Sequence, residues 1–153
     1  AVSAQVVSDQ PVVVERPLYA VHDFGGGTVR GATDALGATS LGTVFGFANA
    51  STMSGDWDFL TFQNPGSVAA SVKVSYYDTT AVIQQSLTVP AGSRQTLQLF
   101  TAGQGPGIGD PLVGTVITSD QPILVEKPDY STNGTGGAAD AMGYQPASGS
   151  FQP

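Results

Sequence analysis

Apolar and polar residues alternate from Ala70 to Tyr77, with Val72, Val74 and Tyr76 on one face and Ser71, Lys73 and Ser75 on the other. A period of two marks an antiparallel strand buried on one side. Val82 to Val89 reads the same way, with Ile83, Leu87 and Val89 sharing a face, and so does Arg94 to Phe100, with Leu97 and Leu99 inward. Leu41 to Ala48 and Phe59 to Phe62, the latter inside Asp56 to Pro65, are aromatic and β-branched runs of strand length. Asp78-Thr79-Thr80 and Pro90-Ala91-Gly92 supply turn chemistry between them. No stretch carries a helical period, so helix should be almost absent. Strands spaced by roughly ten residues with turns between them predict an all-β chain, an immunoglobulin-like antiparallel β-sandwich.

One apolar block occurs twice. Ser8-Asp9-Gln10-Pro11-Val12-Val13-Val14-Glu15-Arg16-Pro17-Leu18-Tyr19 returns as Ser119-Asp120-Gln121-Pro122-Ile123-Leu124-Val125-Glu126-Lys127-Pro128-Asp129-Tyr130. A looser echo follows each copy: Gly26 to Gly37 is answered by Gly134 to Gly143, with Asp34-Ala35-Leu36-Gly37 matching Asp140-Ala141-Met142-Gly143. The first block reads as a strand interrupted at Pro11 and closed by Pro17, apolar on both faces and so expecting cover on both. Ala20 to Ser40 is Gly-rich without a period, which predicts a long loop with one short strand near Thr28 to Arg30, and Leu36 plugged into a core. The same side chains in the same order seek the same environment. A single sandwich offers one such place, so the second copy is expected in a neighbour, although both could pack in one domain as pseudo-symmetric strands. The expected division is an N-terminal signature strand at 1–19, a sandwich at 20–130 and a C-terminal extension at 131–153 that begins the next repeat.

Composition narrows the partners. A chain of 153 residues holds one domain, or one domain with an overhang. Only Arg16, Arg30, Lys73, Arg94 and Lys127 are basic and the net charge is −7, so the clustered cations that a phosphate backbone requires are missing, and nucleic acid is excluded. Hydrophobic residues at 41% are ample for a core. Solubility then rests on uncharged polar side chains, a surface common in secreted and cell-surface proteins. Cysteine is absent, which removes disulfides and thiolate metal sites. No apolar run reaches the ~18 residues of a membrane span, so no membrane insertion is expected.

Several segments together resemble a family. Phe45 to Asp78 (FGFANASTMSGDWDFLTFQNPGSVAASVKVSYYD), Leu87 to Thr96 (LTVPAGSRQT), the VxSxQPIxVExPxY block ending at Tyr130 and the GGxxDAxG tail are similar to tandemly repeated β-sandwich modules of large bacterial cell-surface proteins. The resemblance covers most of the chain. It implies an extracellular scaffold or stalk in which the QPIxVExP strand closes one module and GGxxDAxG leads into the next, and it implies no enzymatic activity.

Residues able to carry chemistry are few. His22 is the only histidine, sits beside Asp23 in a Gly-rich stretch, and has no GxSxG elbow to serve, so the chain is not expected to be an enzyme. Asp56 and Asp58 flank Trp57, but two carboxylates fall short of a Ca²⁺ shell and are expected in a solvated loop. Gly103, Gly105, Gly107 and Gly109 imitate a phosphate loop, yet Pro106 and Pro111 prevent the helix that such a loop needs. No cofactor is expected. Trp57, Phe59 and Tyr77 could stack on sugars, although a sandwich core absorbs aromatics routinely. Asn49-Ala50-Ser51 and Asn133-Gly134-Thr135 fit the glycosylation pattern. A lysine crosslink to asparagine could involve only Lys73 or Lys127, and is not expected.

The function these features predict is structural: an extracellular or cell-surface protein whose β-sandwich units assemble head to tail, as filament or stalk, by strand complementation. Its interaction residues would be Val12, Val13, Val14, Glu15, Arg16, Tyr19, Leu36, Met142 and Tyr144, and its partner a further copy of itself. The alternative is a carbohydrate- or wall-binding adhesion module of a larger surface protein, with surface glycans as ligand.

Overall fold

The β-branched and aromatic runs form nine strands among the described residues: β1 Glu15–Asp23, β2 Thr28–Leu36, β3 Gly42–Phe47, β4 Asp56–Asn64, β5 Ala70–Tyr77, β6 Val82–Val89, β7 Ser93–Gln98, β8 Gly114–Ser131 and β9 Gly137–Met142. The computed structural model describes residues 2–25, 27–134 and 136–146. Every ladder is antiparallel, and no helix occurs among these residues.

The 18-residue β8 organises the molecule. Its first half lies between β3 and β5, with Val116 opposite Gly46 and Ile117 opposite Val74. Its second half lies between β4 and β9, with Glu126 opposite Thr61 on one side and Met142 on the other. One strand is thus central to two sheets, which curl against each other as a sandwich. The first runs β6-β5-β8-β3 and the second β7-β4-β8-β9. Phe45, Leu60, Phe62, Val74, Tyr76, Ile117, Ile123 and Val125 fill the space between them. The strands from β3 to β7 fall where the alternation and the aromatic, β-branched runs place them, and β6, an edge strand, is exposed over most of its length. Gly92, at φ 62°, makes the turn between β6 and β7, with Ser93 N–H bonded to Pro90 O at 3.3 Å.

Residues 20–40 depart from expectation. β1 runs through Pro17 to Asp23 and returns as the nine-residue β2, so a two-stranded hairpin replaces the long loop. Pro17 is tolerated because β1 has a ladder on one side only, leaving an edge where a missing N–H costs nothing. The hairpin adds a third layer on the outer face of the second sheet. Because side chains alternate along β4, Leu60 and Phe62 point into the sandwich while Trp57 and Phe59 point out, and Leu18, Ala20, Phe24 and Val29 cover them together with Tyr130 and Ala138. Gly31 allows the closest approach: a Cβ there would stand 2.5 Å from Ala138 N. Leu36 is exposed at the end of β2 and plugs no core, since it lies on the hairpin face turned away from β9.

Of the C-terminal extension, β9 is ordered by pairing with β8, and residues 147–153 lie outside the described residues.

Candidate functional site

The two copies of the signature fold into the same hairpin. Glu15 pairs with Leu36, Arg16 with Ala35, Pro17 with Asp34, Tyr19 with Ala32 and Ala20 with Gly31. In the second copy Glu126 pairs with Met142, Lys127 with Ala141, Pro128 with Asp140, Tyr130 with Ala138 and Ser131 with Gly137. Even the bond beyond the last pair is kept: Gly37 N–H donates to Val14 O at 2.8 Å, and Gly143 N–H to Val125 O at 3.1 Å. Register is a property of the repeated sequence, through the side chains that each face must bury.

Their surroundings are opposite. Ile123 and Val125 are fully buried in the core, whereas Val12 and Val13, in the matching block, are 59% and 80% exposed. Upstream of β1, residues 2–14 make no ladder, and their contact with the sandwich includes Arg94 Nε donating to Ser3 Oγ at 3.0 Å. The likeness extends over this whole segment: Val2, Val6, Val12 and Val14 correspond to Val113, Ile117, Ile123 and Val125, all four of which are buried. Residues 2–14 thus share the apolar pattern of 113–125 without a ladder of their own, while β8 occupies the place between β3, β4, β5 and β9.

The residues expected to mediate interaction do not form one patch. Val12, Val13 and Val14 lie on the exposed N-terminal segment and Glu15 and Tyr19 on β1, and Leu36 is exposed close by on β2. Tyr144 is exposed beyond β9, where its backbone pairs with Gly46 of the same chain. Met142 is half-buried. Arg16 is engaged internally, its guanidinium bridging Glu126 at 2.8 Å and the fully covered side chain of Asp140. Burial, and then the neighbouring Asp140, raise the Glu126 carboxyl above the ordinary range although Arg16 opposes them. This bridge fastens the first hairpin onto the second.

A second polar group sits at the end of the sandwich where β4 meets β8. Asp58 and Asp129 face each other across the ladder. Lys127 is almost fully buried, contacts Asp129 directly and lies 3.7 Å from Asp58 Oδ2, which also accepts Ser51 N–H at 2.8 Å. Burial, then the charge of Asp129, push the Asp58 carboxyl up to about 6, and burial raises Asp129 as well. Asp56 differs: burial works against its ionisation, but Ser131, Ser51 and Asn133 hydrogen-bond its oxygens and hold its pKa below the usual value. Where a solvated loop was expected, Asp56 and Asp58 stand at the start of β4, Asp56 half-buried and Asp58 buried, and no metal-binding cluster occurs among the described residues. A buried lysine carries no periodic signature, so only its place in the copied block, opposite Arg16, marked it.

Other candidates resolve simply. His22 lies exposed on the hairpin, its ring edge-on to Phe24 at 4.5 Å. Trp57 is covered by Phe24, stacked at 5.1 Å, which leaves no free indole face for a sugar. Asn49 and Asn133 are exposed, and Thr135 of the second glycosylation pattern lies outside the described residues. No helix among the described residues is long and apolar enough to cross a membrane.

The class that the fold defines is an all-β protein of antiparallel sheets curled into a sandwich. No family model matches the chain, and no curated protein matches it. Among solved structures it is similar to the crystal structure of Thermotoga maritima 1070, with a TM-score of 0.59 and 13% identity over 70% of this chain and 96% of that one. It is also similar to the Anabaena sensory rhodopsin transducer, at 0.50 and 23% over 59% of this chain and 99% of that one. At these identities the likeness shows the fold alone.

Proposed function

We propose that this chain is a structural protein of the cell exterior, built from immunoglobulin-like sandwich units joined head to tail. Residues 2–14 act as the closing strand of the neighbouring unit. The observation that carries this reading is two hairpins of one register whose leading segments differ in burial: residues 2–14 share the apolar pattern of 113–125 in β8, yet make no ladder in their own chain. β8 already fills the place that residues 2–14 fit, so the receiver is a unit of the same kind whose closing strand they supply. A strand buried on both faces stays in place by main-chain hydrogen bonds on both edges and by alternate side chains that fix its register.

The hairpin gives the junction its stiffness. Residues 2–14 run without interruption into β1, and β1 is clamped to its own unit by Arg16, Gly31 and the aromatic layer over Trp57. A strand leaving one unit therefore enters the next already oriented. The low-charge, cysteine-free surface is consistent with an extracellular setting.

A fusion tests this. Residues 37–112 placed directly before Val2 of the whole chain put residues 2–14 where 113–125 normally follow Leu112. Two cooperatively folded units are expected, with amides of Val6 to Val14 protected from hydrogen exchange. If those amides exchange as fast as in the single unit and the added segment stays unfolded, the reading fails. Val12→Asp with Val14→Asp should abolish the first unit's folding and leave the second intact.

A further inference from the structure

We infer that Lys127 and Asp58 form an intramolecular isopeptide bond that ties β8 to β4. The geometry supplies each part of the reaction. Lys127 and Asp58 are both buried, on neighbouring strands, with Nζ 3.7 Å from Oδ2. Asp129, across the ladder from Asp58, contacts the same Nζ, and its Oδ1 is buried without a hydrogen-bond partner among the described residues. Ser51 N–H points at Asp58 Oδ2, where negative charge would gather as the carboxyl carbon turns tetrahedral.

Ammonium with carboxylate and amine with carboxylic acid differ only in where one proton sits, and burial disfavours the charged pair. The elevated pKa of Asp58 acts in the same direction. The Nζ lone pair of the neutral amine attacks Cγ of the protonated Asp58. Asp129 accepts a proton from Nζ and returns it to the departing hydroxyl; the C–OH bond breaks, the amide forms and one water leaves. No electrons are exchanged and no co-reactant is needed. Condensation of an amine and an acid is unfavourable in dilute water, but well-oriented groups held side by side react with effective molarities of about 10⁵–10⁸ M. Asp129 serves as base rather than acyl donor because its carboxylate already accepts from Nζ, whereas Asp58 Oδ2 stands 3.7 Å from Nζ and its carboxyl, raised to about 6, takes up a proton more readily than an ordinary aspartate. Arg16, at the matching place in the first copy, has no amine to react, so the reaction belongs to the second hairpin alone.

The test is the intact mass of the purified, folded chain, with folding verified by the buried emission of Trp57. The expected mass is one water below that of the sequence, and fragmentation of a digest should join the peptides holding Asp58 and Lys127. Lys127→Arg and Asp58→Ala should restore the full sequence mass, and Asp129→Asn should slow or stop the loss. Folded wild-type protein at full mass overturns the inference, as does a link from Lys127 to Asp129 or a water lost at any other residue. Because wild type alone decides the matter, misfolding of a variant does not protect it.

Discussion

Val14 and Val125 occupy the same position in two hairpins of one register, each accepting the amide of a glycine at its strand end, yet Val14 is 37% exposed and Val125 fully buried. The same contrast separates Val12 from Ile123. Ile123→Ala should destabilise the chain by about 2–5 kcal/mol, as removal of a core isoleucine does. Val12→Ala should stay within about 0.5 kcal/mol, the range of surface changes. Denaturant unfolding of the two variants checks this, and equal losses would mean that residues 2–14 are packed after all.

Gly31→Ala places a Cβ 2.5 Å from Ala138 N and 2.9 Å from Gly137 C, both backbone atoms that cannot swing aside. The hairpin must lift, at a cost of about 1–3 kcal/mol. The only tryptophan, Trp57, lies beneath it, so its emission should shift to the red and become more open to acrylamide. Unchanged emission would contradict the third layer.

Arg16→Ala leaves Asp140 covered and without its guanidinium. Arg16 itself is about half exposed, so water screens part of the loss and a cost of ~1 kcal/mol is expected. The effect should be local: faster amide exchange at Leu18, Ala20 and Val29, with exchange in β5 unchanged. Arg16→Lys should recover only part of it, because a compact, strongly hydrated ammonium on a flexible stem lacks the fixed donor geometry of the planar guanidinium.

Glu126 gives a pH dependence of known sign. Its folded-state carboxyl keeps its proton to a higher pH than the ordinary value of 4.5, so between those two values the folded state binds more protons than the unfolded one. The stability it contributes is complete below 4.5, declines as pH rises through the folded value, and is level above it. Glu126→Gln, which resembles the protonated form, should flatten that part of the stability–pH curve. A slope of opposite sign in wild type, or no change in the variant, would contradict the assignment.

β5, β6 and β7 were legible from their apolar–polar alternation, and β3 and β4 from their aromatic and β-branched runs. The first hairpin was not. β2 buries chiefly Val29 on its inner face and uses Gly31 where a side chain would collide, so its pattern resembles a loop. Its order comes from Trp57, Tyr130 and Ala138, which are remote in sequence. The repeat held the missing signal, since whatever follows Tyr130 should also follow Tyr19. Pro17 misled for a related reason: β1 has a ladder on one side only, so a missing N–H there leaves no strand partner unpaired. The Lys127, Asp58 and Asp129 group was invisible for want of any local spacing that joins residues of two strands.

β8 touches β3, β4, β5 and β9, and of these only β9 is synthesised after it. Neither sheet is complete before it arrives, and contacts so distant along the chain form slowly. Until then the nascent sandwich stands open with a look-alike strand, residues 2–14, already synthesised at its side. The order in which the two copies emerge thus bears on how the chain folds as well as on what it becomes, and a refolding experiment should register the early copy as a competitor for the later one's place.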